Sequence, residues 1–296
     1  MLQMRRPSYA LIALLAAGLL VVGCGRDSDD SGQAAPTDAP KVEDPGPIHV
    51  HGLGINPEDG ALFVATHTGL FRAAEGERRA TRVADRFQDT MGFTVVGPNR
   101  FLGSGHPDGR ENLPPFLGLI ESRDAGRTWE PISLLGKRDF HVLEATGRRV
   151  YGFGSDFDTK QAGLLVSDDG GRGWDERTPP EALVSLAVDP EDPDRVVASG
   201  EQGLYLSSDA GRGWRPLDGG PALLAWPAGG PLFAVAFDGS VARSGDVGRS
   251  WRQVGQIGGE PAAFEGEGGE LYVALHDGTI KRSADGGASW SVRSTP

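Results

Sequence analysis

The chain of 296 residues has one cysteine, Cys24, so no disulfide can form within it. It also lacks an excess of positive charge, since 29 Lys and Arg face 41 Asp and Glu and the formal net charge is −12. An acidic surface argues against nucleic acid or anionic lipid as the main partner. The uncharged apolar run from Ala10 to Val22 has 13 residues, whereas a bilayer-spanning helix needs about 20.

This short apolar run has the layout of an export signal, because Arg5 and Arg6 precede it and small residues follow it. It ends in "VVGC", which resembles a bacterial lipobox. The resemblance implies cleavage before Cys24, acylation of that cysteine with fatty acids such as palmitate, and attachment to the cell membrane outside the cytoplasm. The alternative is an uncleaved N-terminal anchor helix, which would also export the rest of the chain.

The sequence predicts three regions: a signal peptide at 1–23, a lipidated Cys24 with a flexible linker to residue 47, and one domain at 48–296. The linker is rich in Asp, Pro, Ser and Ala, with Val42 as its one large apolar residue. Such a segment buries too little apolar surface to offset the entropy of ordering it. The remaining length is ample for one well-formed core.

An octapeptide recurs five times in this domain, beginning at Ser122, Ser167, Ser207, Ser244 and Ser283. The copies read "SRDAGRTW", "SDDGGRGW", "SSDAGRGW", "SGDVGRSW" and "SADGGASW". Their spacing near 40 residues, with four short alternating apolar runs in each unit, predicts one four-stranded β-propeller blade per repeat. A sixth unit lies in front, where "GLFRAAEGERRA" at 69–80 aligns with "GLYLSSDAGRGW" at 203–214 but has lost the Ser, Asp and Trp. We therefore expect an all-β fold, a six-bladed β-propeller.

Each octapeptide falls between the third and fourth strands of its blade, where the chain reverses. Ser and Asp can bond the amides of such a turn, Gly can take its positive-φ positions, and Trp can cover the apolar layer between blades. The motif resembles the Asp-box, or BNR, repeat of sialidases and sortilin-type propellers. Since equivalent copies in five blades cannot all face one site, we interpret their aspartates as structural; these are Asp124, Asp169, Asp209, Asp246 and Asp285.

The histidines indicate a site on the opposite face. All six map to strand ends or loops away from the octapeptides, and four come from three consecutive blades: His51, His67, His106 and His141. Imidazole with carboxylate or thioether suits copper or zinc. The sequence thus predicts a metal or polar-ligand site there, with His49 and Met91 as reserve ligands. The alternative is that these are ordinary polar loop residues.

A sialidase site is not identifiable, although the repeat resembles that family. Sialidases use three arginines and a Tyr nucleophile, but no residue pattern selects an arginine triad here. The three tyrosines of the domain, Tyr151, Tyr205 and Tyr272, occupy predicted core positions. A two-carboxylate glycoside hydrolase remains open, because six acids map near the channel mouth: Asp89, Asp139, Asp156, Glu201, Asp238 and Asp277.

The whole domain resembles a bacterial lipoprotein family that is often labelled glycosyl hydrolase, through "HVHGLGI", "ATHTGLF", "MGFTVVGP", "GSGHPDG" and "DFHVLEA". The function predicted from the sequence is a lipoprotein propeller at the cell envelope that binds a metal, glycan or protein ligand. Its alternative is a sialidase-like, exo-acting glycoside hydrolase on extracellular glycans.

Overall fold

The computed structural model describes residues 44–296. The predicted signal peptide, Cys24 and the linker as far as residue 43 lie outside the described residues. Among residues 44–296 there is no helix of the length and apolarity that crossing a bilayer requires. Within them, the chain forms six four-stranded antiparallel sheets, which confirms the predicted six-bladed β-propeller.

Each sheet is built from four strands consecutive in sequence, and the first strand of each faces the central channel. Blades one to three contain β1 (Val50–Ile55), β2 (Leu62–Thr66), β3 (Gly69–Ala73), β4 (Thr81–Arg82); β5 (Asp89–Gly97), β6 (Arg100–His106), β7 (Leu119–Ser122), β8 (Glu130–Ser133); and β9 (Arg138–Thr146), β10 (Arg149–Asp156), β11 (Ala162–Ser167), β12 (Asp175–Arg177). Blades four to six contain β13 (Leu183–Val188), β14 (Val196–Gly200), β15 (Leu204–Ser207), β16 (Arg215–Leu217); β17 (Ala222–Ala225), β18 (Leu232–Ala236), β19 (Ser240–Ser244), β20 (Arg252–Gln256); and β21 (Pro261–Glu267), β22 (Glu270–Leu275), β23 (Ile280–Ser283), β24 (Ser291–Ser294).

The core is a set of apolar layers between neighbouring blades. Phe63 of blade one meets Phe101 of blade two edge to face, with ring centroids 4.7 Å apart. At the closing seam, Val50 and Leu53 of blade one join Tyr272 of blade six in one buried cluster. The alternating strand pattern produces these layers, because every blade buries one set of side chains on each neighbour.

The five octapeptides form the same hydrogen-bonded turn. In the fourth blade, the Ser207 hydroxyl donates to Asp209 Oδ1 at 2.8 Å and accepts from the Gly211 amide at 2.8 Å. Asp209 Oδ1 also accepts from the Gly213 amide at 2.9 Å. Gly211 has a φ of 76°, a conformation that glycine adopts without steric cost. All these bonds are internal to the turn, so the repeated aspartate holds a strand connection together.

Blade one lacks this turn, and residues that follow blade six or lie on its last strand stabilise the corresponding segment instead. The Arg293 guanidinium, on the last strand of blade six, donates to the carbonyls of Glu77 at 2.5 Å and Ala74 at 2.9 Å. The Thr295 amide donates to the Arg78 carbonyl at 3.0 Å. Arg293 and Thr295 therefore stabilise the turn between β3 and β4 in place of the missing Ser and Asp. The same hydrogen bonds join blade six to blade one and so close the ring.

The end of the predicted linker contacts blade one. Asp44 pairs with Arg82, whose Nε donates to Asp44 Oδ2 at 2.9 Å. The Thr68 hydroxyl donates to the Gly46 carbonyl at 2.6 Å. Ordered contacts thus begin a few residues before the first strand.

Candidate metal centre at the channel mouth

The mouth of the channel is lined by side chains that irregular strand pairing places there. A β-bulge interrupts β1, β5, β9, β13 and β21 near their beginnings. The extra residue of a bulge is unpaired and its side chain is re-aimed. In chain order these residues are His51, Met91, His141, Val184 and Ala262, and all five line one cavity of about 100 Å³ at the mouth. The imidazoles and the thioether of this set therefore belong to blades one to three, and its aliphatic side chains belong to blades four and six.

The first cluster of ligating groups joins blades one and two. His51 lies in the bulge of β1, His67 follows β2, and Asp89 begins β5. His67 Nδ1 lies 3.0 Å from Asp89 Oδ2, and His51 Nε2 lies 3.8 Å from Asp89 Oδ1. One donor atom from each of the three residues lies within 4.8 Å of the other two. We call these three residues the first centre.

The second cluster lies directly beside the first. His106 ends β6, while Asp139 and His141 lie near the start of β9. His141 Nε2 is 2.9 Å and His106 Nε2 is 3.6 Å from Asp139 Oδ2. His106 Nδ1 lies 3.3 Å from Asp89 Oδ2, so one imidazole connects the two carboxylates. The order His67, Asp89, His106, Asp139, His141 forms a continuous polar chain around the mouth.

Burial differs sharply between the members of this chain. The Asp139 side chain is 3% exposed and that of Asp89 is 14% exposed, whereas those of His67 and His141 are about half exposed. Three buried polar atoms at the mouth have no hydrogen-bond partner among the described residues: His51 Nε2, Asp89 Oδ1 and Asp139 Oδ1. A buried carboxylate oxygen without a partner is costly, and a cation nearby offsets that cost. Within residues 44–296, neither aspartate pairs with a Lys or Arg.

The surroundings shift the pKa values of His51 and His106 in opposite directions. Burial lowers the pKa of His51, against the opposing attraction of Asp89. This favours the neutral ring, which can donate a lone pair to a metal. The hydrogen bond to Asp89 raises the pKa of His106, assisted by the charge of Asp139. Both aspartates therefore favour the protonated form of the His106 ring.

Two glycines allow both aspartates to reach the mouth. A Cβ on Gly105 would lie 2.1 Å from the Asp89 carbonyl oxygen, and one on Gly154 would lie 1.9 Å from the Asp139 carbonyl oxygen. Only glycine permits so close an approach of two backbones. The second strands of blades two and three therefore position the acids that begin the neighbouring first strands.

Below the mouth, the channel holds two carboxyl groups, Glu144 on β9 and Glu265 on β21. Both line the mouth cavity and a lower cavity of about 290 Å³ that continues towards the octapeptide face. Burial, with repulsion from Glu265, raises the pKa of Glu144 well above its usual value. Burial raises the pKa of Glu265 to about 7. The channel thus contains carboxyl groups able to keep a proton near neutral pH.

Three of the four other acids that mapped near the mouth act in turns, and the fourth, Glu201, is exposed. Asp156 accepts from the Thr159 amide at 2.8 Å, Asp238 from the Ser240 amide at 2.9 Å and Asp277 from the Thr279 amide at 2.8 Å. Hydrogen bonds to residues 159, 240 and 279 lower the pKa of these three carboxyl groups. They therefore stay ionised and are poorly suited to donate a proton.

The tyrosines follow the core prediction with one exception. Tyr151 is 0% and Tyr272 is 6% exposed. Tyr205 is only partly buried, and a hydrogen bond with Glu181 raises its pKa. The prediction of a core position for Tyr205 is wrong, because part of this residue remains exposed.

The four predicted histidines His51, His67, His106 and His141 all belong to the mouth cluster. Of the reserve ligands, Met91 lines the same cavity, and the His49 ring lies 6.1 Å from that of His67. His276 lies elsewhere, with its Nε2 3.9 Å from Glu260.

Sequence reasoning missed the paired Glu144 and Glu265. Their available signal was an acid inside otherwise apolar first strands, in "VLEA" and "AFEGE". It also missed the bulges that aim His51, Met91 and His141, because register shifts leave no mark in residue type.

Comparison with known proteins supports the fold. No family model matches the chain, and no curated protein matches its sequence. Among solved structures, a GH74 enzyme of Niastella koreensis superposes with a TM-score of 0.59 at 13% identity, over 84% of this chain and 45% of that one. A GH74 xyloglucanase of Xanthomonas campestris gives 0.55 at 20% identity, over 83% and 45%. A gluconolactonase of Xanthomonas campestris gives 0.62 at 14% identity, over 78% and 84%. The chain spans less than half the length of the two GH74 enzymes, and at these identities the likeness concerns the propeller fold alone.

Proposed function

We propose that this protein binds a transition-metal ion, copper or zinc, at the channel mouth and presents it to a ligand outside the cytoplasm. The first centre, His51, His67 and Asp89, holds the ion in this proposal. The supporting observation is that three donor atoms of these residues lie within 4.8 Å of one another while His51 Nε2 and Asp89 Oδ1 are buried without partners.

The donor types favour a borderline transition metal over Mg²⁺ or Ca²⁺. Two imidazoles and one carboxylate are a common zinc or copper set, whereas Mg²⁺ and Ca²⁺ prefer oxygen ligands. Three protein ligands leave a position for water or a bound ligand. The exposed side of His67 faces solvent, so an incoming group can reach that position.

Attachment to the envelope is part of this proposal. An acylated Cys24 and the linker to residue 47 would hold the propeller at the membrane surface, with the metal available to extracytoplasmic molecules. Incorporation of labelled palmitate into the wild type and its loss in Cys24→Ser test this part separately from metal binding.

Metal binding is tested by thermal denaturation of the whole chain in mild detergent, with Zn²⁺, Cu²⁺ or Mg²⁺ after removal of bound metal. A ligand at 100 times its Kd stabilises the folded state by about 2.7 kcal/mol. For a domain of this size that corresponds to a rise in Tm of about 5–10 °C. We expect this rise with Zn²⁺ or Cu²⁺ and none with Mg²⁺.

His67→Gln should lower the rise, because it removes a half-exposed ligand of the first centre without disturbing the core. The matched control is His276→Gln, an exposed histidine outside the cluster that should respond like the wild type. Equal responses of His67→Gln and the wild type would contradict the proposal.

A second candidate function, glycoside hydrolysis, is supported by the two channel carboxyl groups. A protonated carboxyl beside an ionised one is the arrangement that glycoside hydrolases use as acid and base. A panel of fluorogenic glycosides tests it. Hydrolysis that is lost in both Glu144→Gln and Glu265→Gln but kept in Glu267→Gln would favour this function, and no hydrolysis by the wild type would exclude it for those substrates.

A further inference from the structure

We infer that the channel mouth contains a second cation centre, formed by His106, Asp139 and His141, beside the first. This inference rests on the proposed metal function and extends it from one ion to a neighbouring pair. The ion is again of the zinc or copper class, because the donors are two imidazoles and one carboxylate.

Two distances around Asp139 suit one shared ion, although the donor atoms of His106, Asp139 and His141 do not all lie within 4.8 Å of one another as those of the first centre do. Zinc bonds of about 2.0–2.1 Å in tetrahedral geometry place neighbouring ligand atoms about 3.3 Å apart. The distances from Asp139 Oδ2 to His141 Nε2 and His106 Nε2, 2.9 and 3.6 Å, lie on either side of that value. His141 is 47% exposed, so its ring can adjust to complete the site.

A cation at this position would stabilise the buried charge of Asp139. The Asp139 side chain is 3% exposed, and its Oδ1 has no partner among the described residues. The sequence neighbour Arg138 does not neutralise it, since Arg138 Nε lies 3.3 Å from Asp156 Oδ2 instead. Leaving a carboxylate buried without a strong counter-charge is costly, and a metal ion removes that cost.

The link between the centres assigns the His106 nitrogens. His106 Nδ1 lies 3.3 Å from Asp89 Oδ2 and can donate its proton there. A metal-bound histidine usually donates its other N–H to a carboxylate, which fixes the ring. His106 would therefore bind the second ion through Nε2 and orient Asp89, a ligand of the first ion, through Nδ1.

A protonated His106 bridging the two aspartates without a second ion is the competing arrangement. The two make different predictions for the number of ions bound. The whole chain in mild detergent is loaded separately with Zn²⁺ and Cu²⁺, dialysed against a weak chelator, and assayed for bound metal per chain. We expect two ions in the wild type and in His276→Gln.

His141→Gln and, separately, Asp139→Asn should each lower the count to one and keep the ion that His67→Gln removes. His67→Gln should likewise keep one ion. With Cu²⁺, the electron paramagnetic resonance spectrum of the wild type should show interaction between two ions, and His141→Gln should give the spectrum of an isolated ion. Circular dichroism of each variant verifies that the sheets are intact.

One ion in the wild type, retained in His141→Gln, would overturn the second centre and leave the first standing. Loss of both ions in either single variant would also overturn it, since the two sets would then be a single cluster. No ion in the wild type would refute the proposed function itself.

Discussion

Replacing Glu265 by Gln should stabilise the protein at neutral and alkaline pH. The pKa of Glu265 rises from its ordinary 4.5 to about 7 because burial disfavours its ionised form. Gln keeps the shape and can still accept the Gly266 amide that now donates to Glu265 Oε1 at 2.7 Å. It removes the charge that must be formed inside the channel above pH 7.

The magnitude follows from linkage between protonation and folding. An acid whose pKa is raised in the folded state destabilises that state as the pH rises from the unfolded pKa through the folded one. A rise in pKa from 4.5 to about 7 lowers the free energy of unfolding of the wild type by about 3 kcal/mol once the pH reaches about 8. At pH 5 the same effect lowers it by about 1 kcal/mol. Because Glu265 is only partly buried, screening by solvent makes both values upper bounds.

The measurement is urea denaturation of wild type and Glu265→Gln at pH 5 and pH 8. The free energy of unfolding of the variant should exceed that of the wild type at pH 8, and the gap should shrink by about 2 kcal/mol at pH 5. The control is Glu267→Gln, an exposed neighbour on the same strand, which should change stability by no more than about 0.5 kcal/mol at either pH. If the difference in free energy of unfolding between Glu265→Gln and the wild type were equal at both pH values, or larger at pH 5, burial would not be what disfavours the ionised form of Glu265.

Further predictions concern the turns and the closure of the ring. Asp209→Ala should lower the free energy of unfolding by about 1–2 kcal/mol, because Asp209 Oδ1 bonds the Ser207 hydroxyl and the Gly213 amide; metal uptake should not change, and a selective loss of uptake would contradict the structural role. Arg293→Ala should cost about 1–3 kcal/mol, since the guanidinium holds the Glu77 and Ala74 carbonyls across the closing seam. Limited proteolysis should then show faster cleavage near residues 74–79, while Arg252→Ala, an exposed arginine on the matching strand of blade five, should behave like the wild type.

Residue type and spacing predicted the fold because every blade repeats the same local physics. Alternating apolar residues specify a strand with two buried faces, and Ser, Asp and Gly specify the turn that follows. Five copies of this pattern near a 40-residue period leave few alternatives to a propeller. Even the degenerate first blade could be recognised from the sequence. The stabilising role of Arg293 in that blade could not, since its contact with Glu77 joins residues more than two hundred positions apart.

The candidate site was predictable only in part. Blade topology placed His51, His67, His106 and His141 on one face, because strand ends of one polarity share a face. Blade topology could not show that Asp89 and Asp139 lie between these histidines, nor that the Oδ1 atoms of both aspartates are buried without partners. Those facts depend on bulges that shift the register by one residue, and on Gly105 and Gly154 approaching the neighbouring backbone.

The sequence by itself determined the number of blades, the structural use of the repeated turns and the face on which the imidazoles gather, because all three follow from local patterns repeated along the chain. Only the tertiary structure decided which imidazoles share a carboxylate, which polar atoms are buried without partners, and that Glu144 and Glu265 occupy one channel. Those properties depend on distances and dielectric surroundings between blades, and these exist only once the ring has closed.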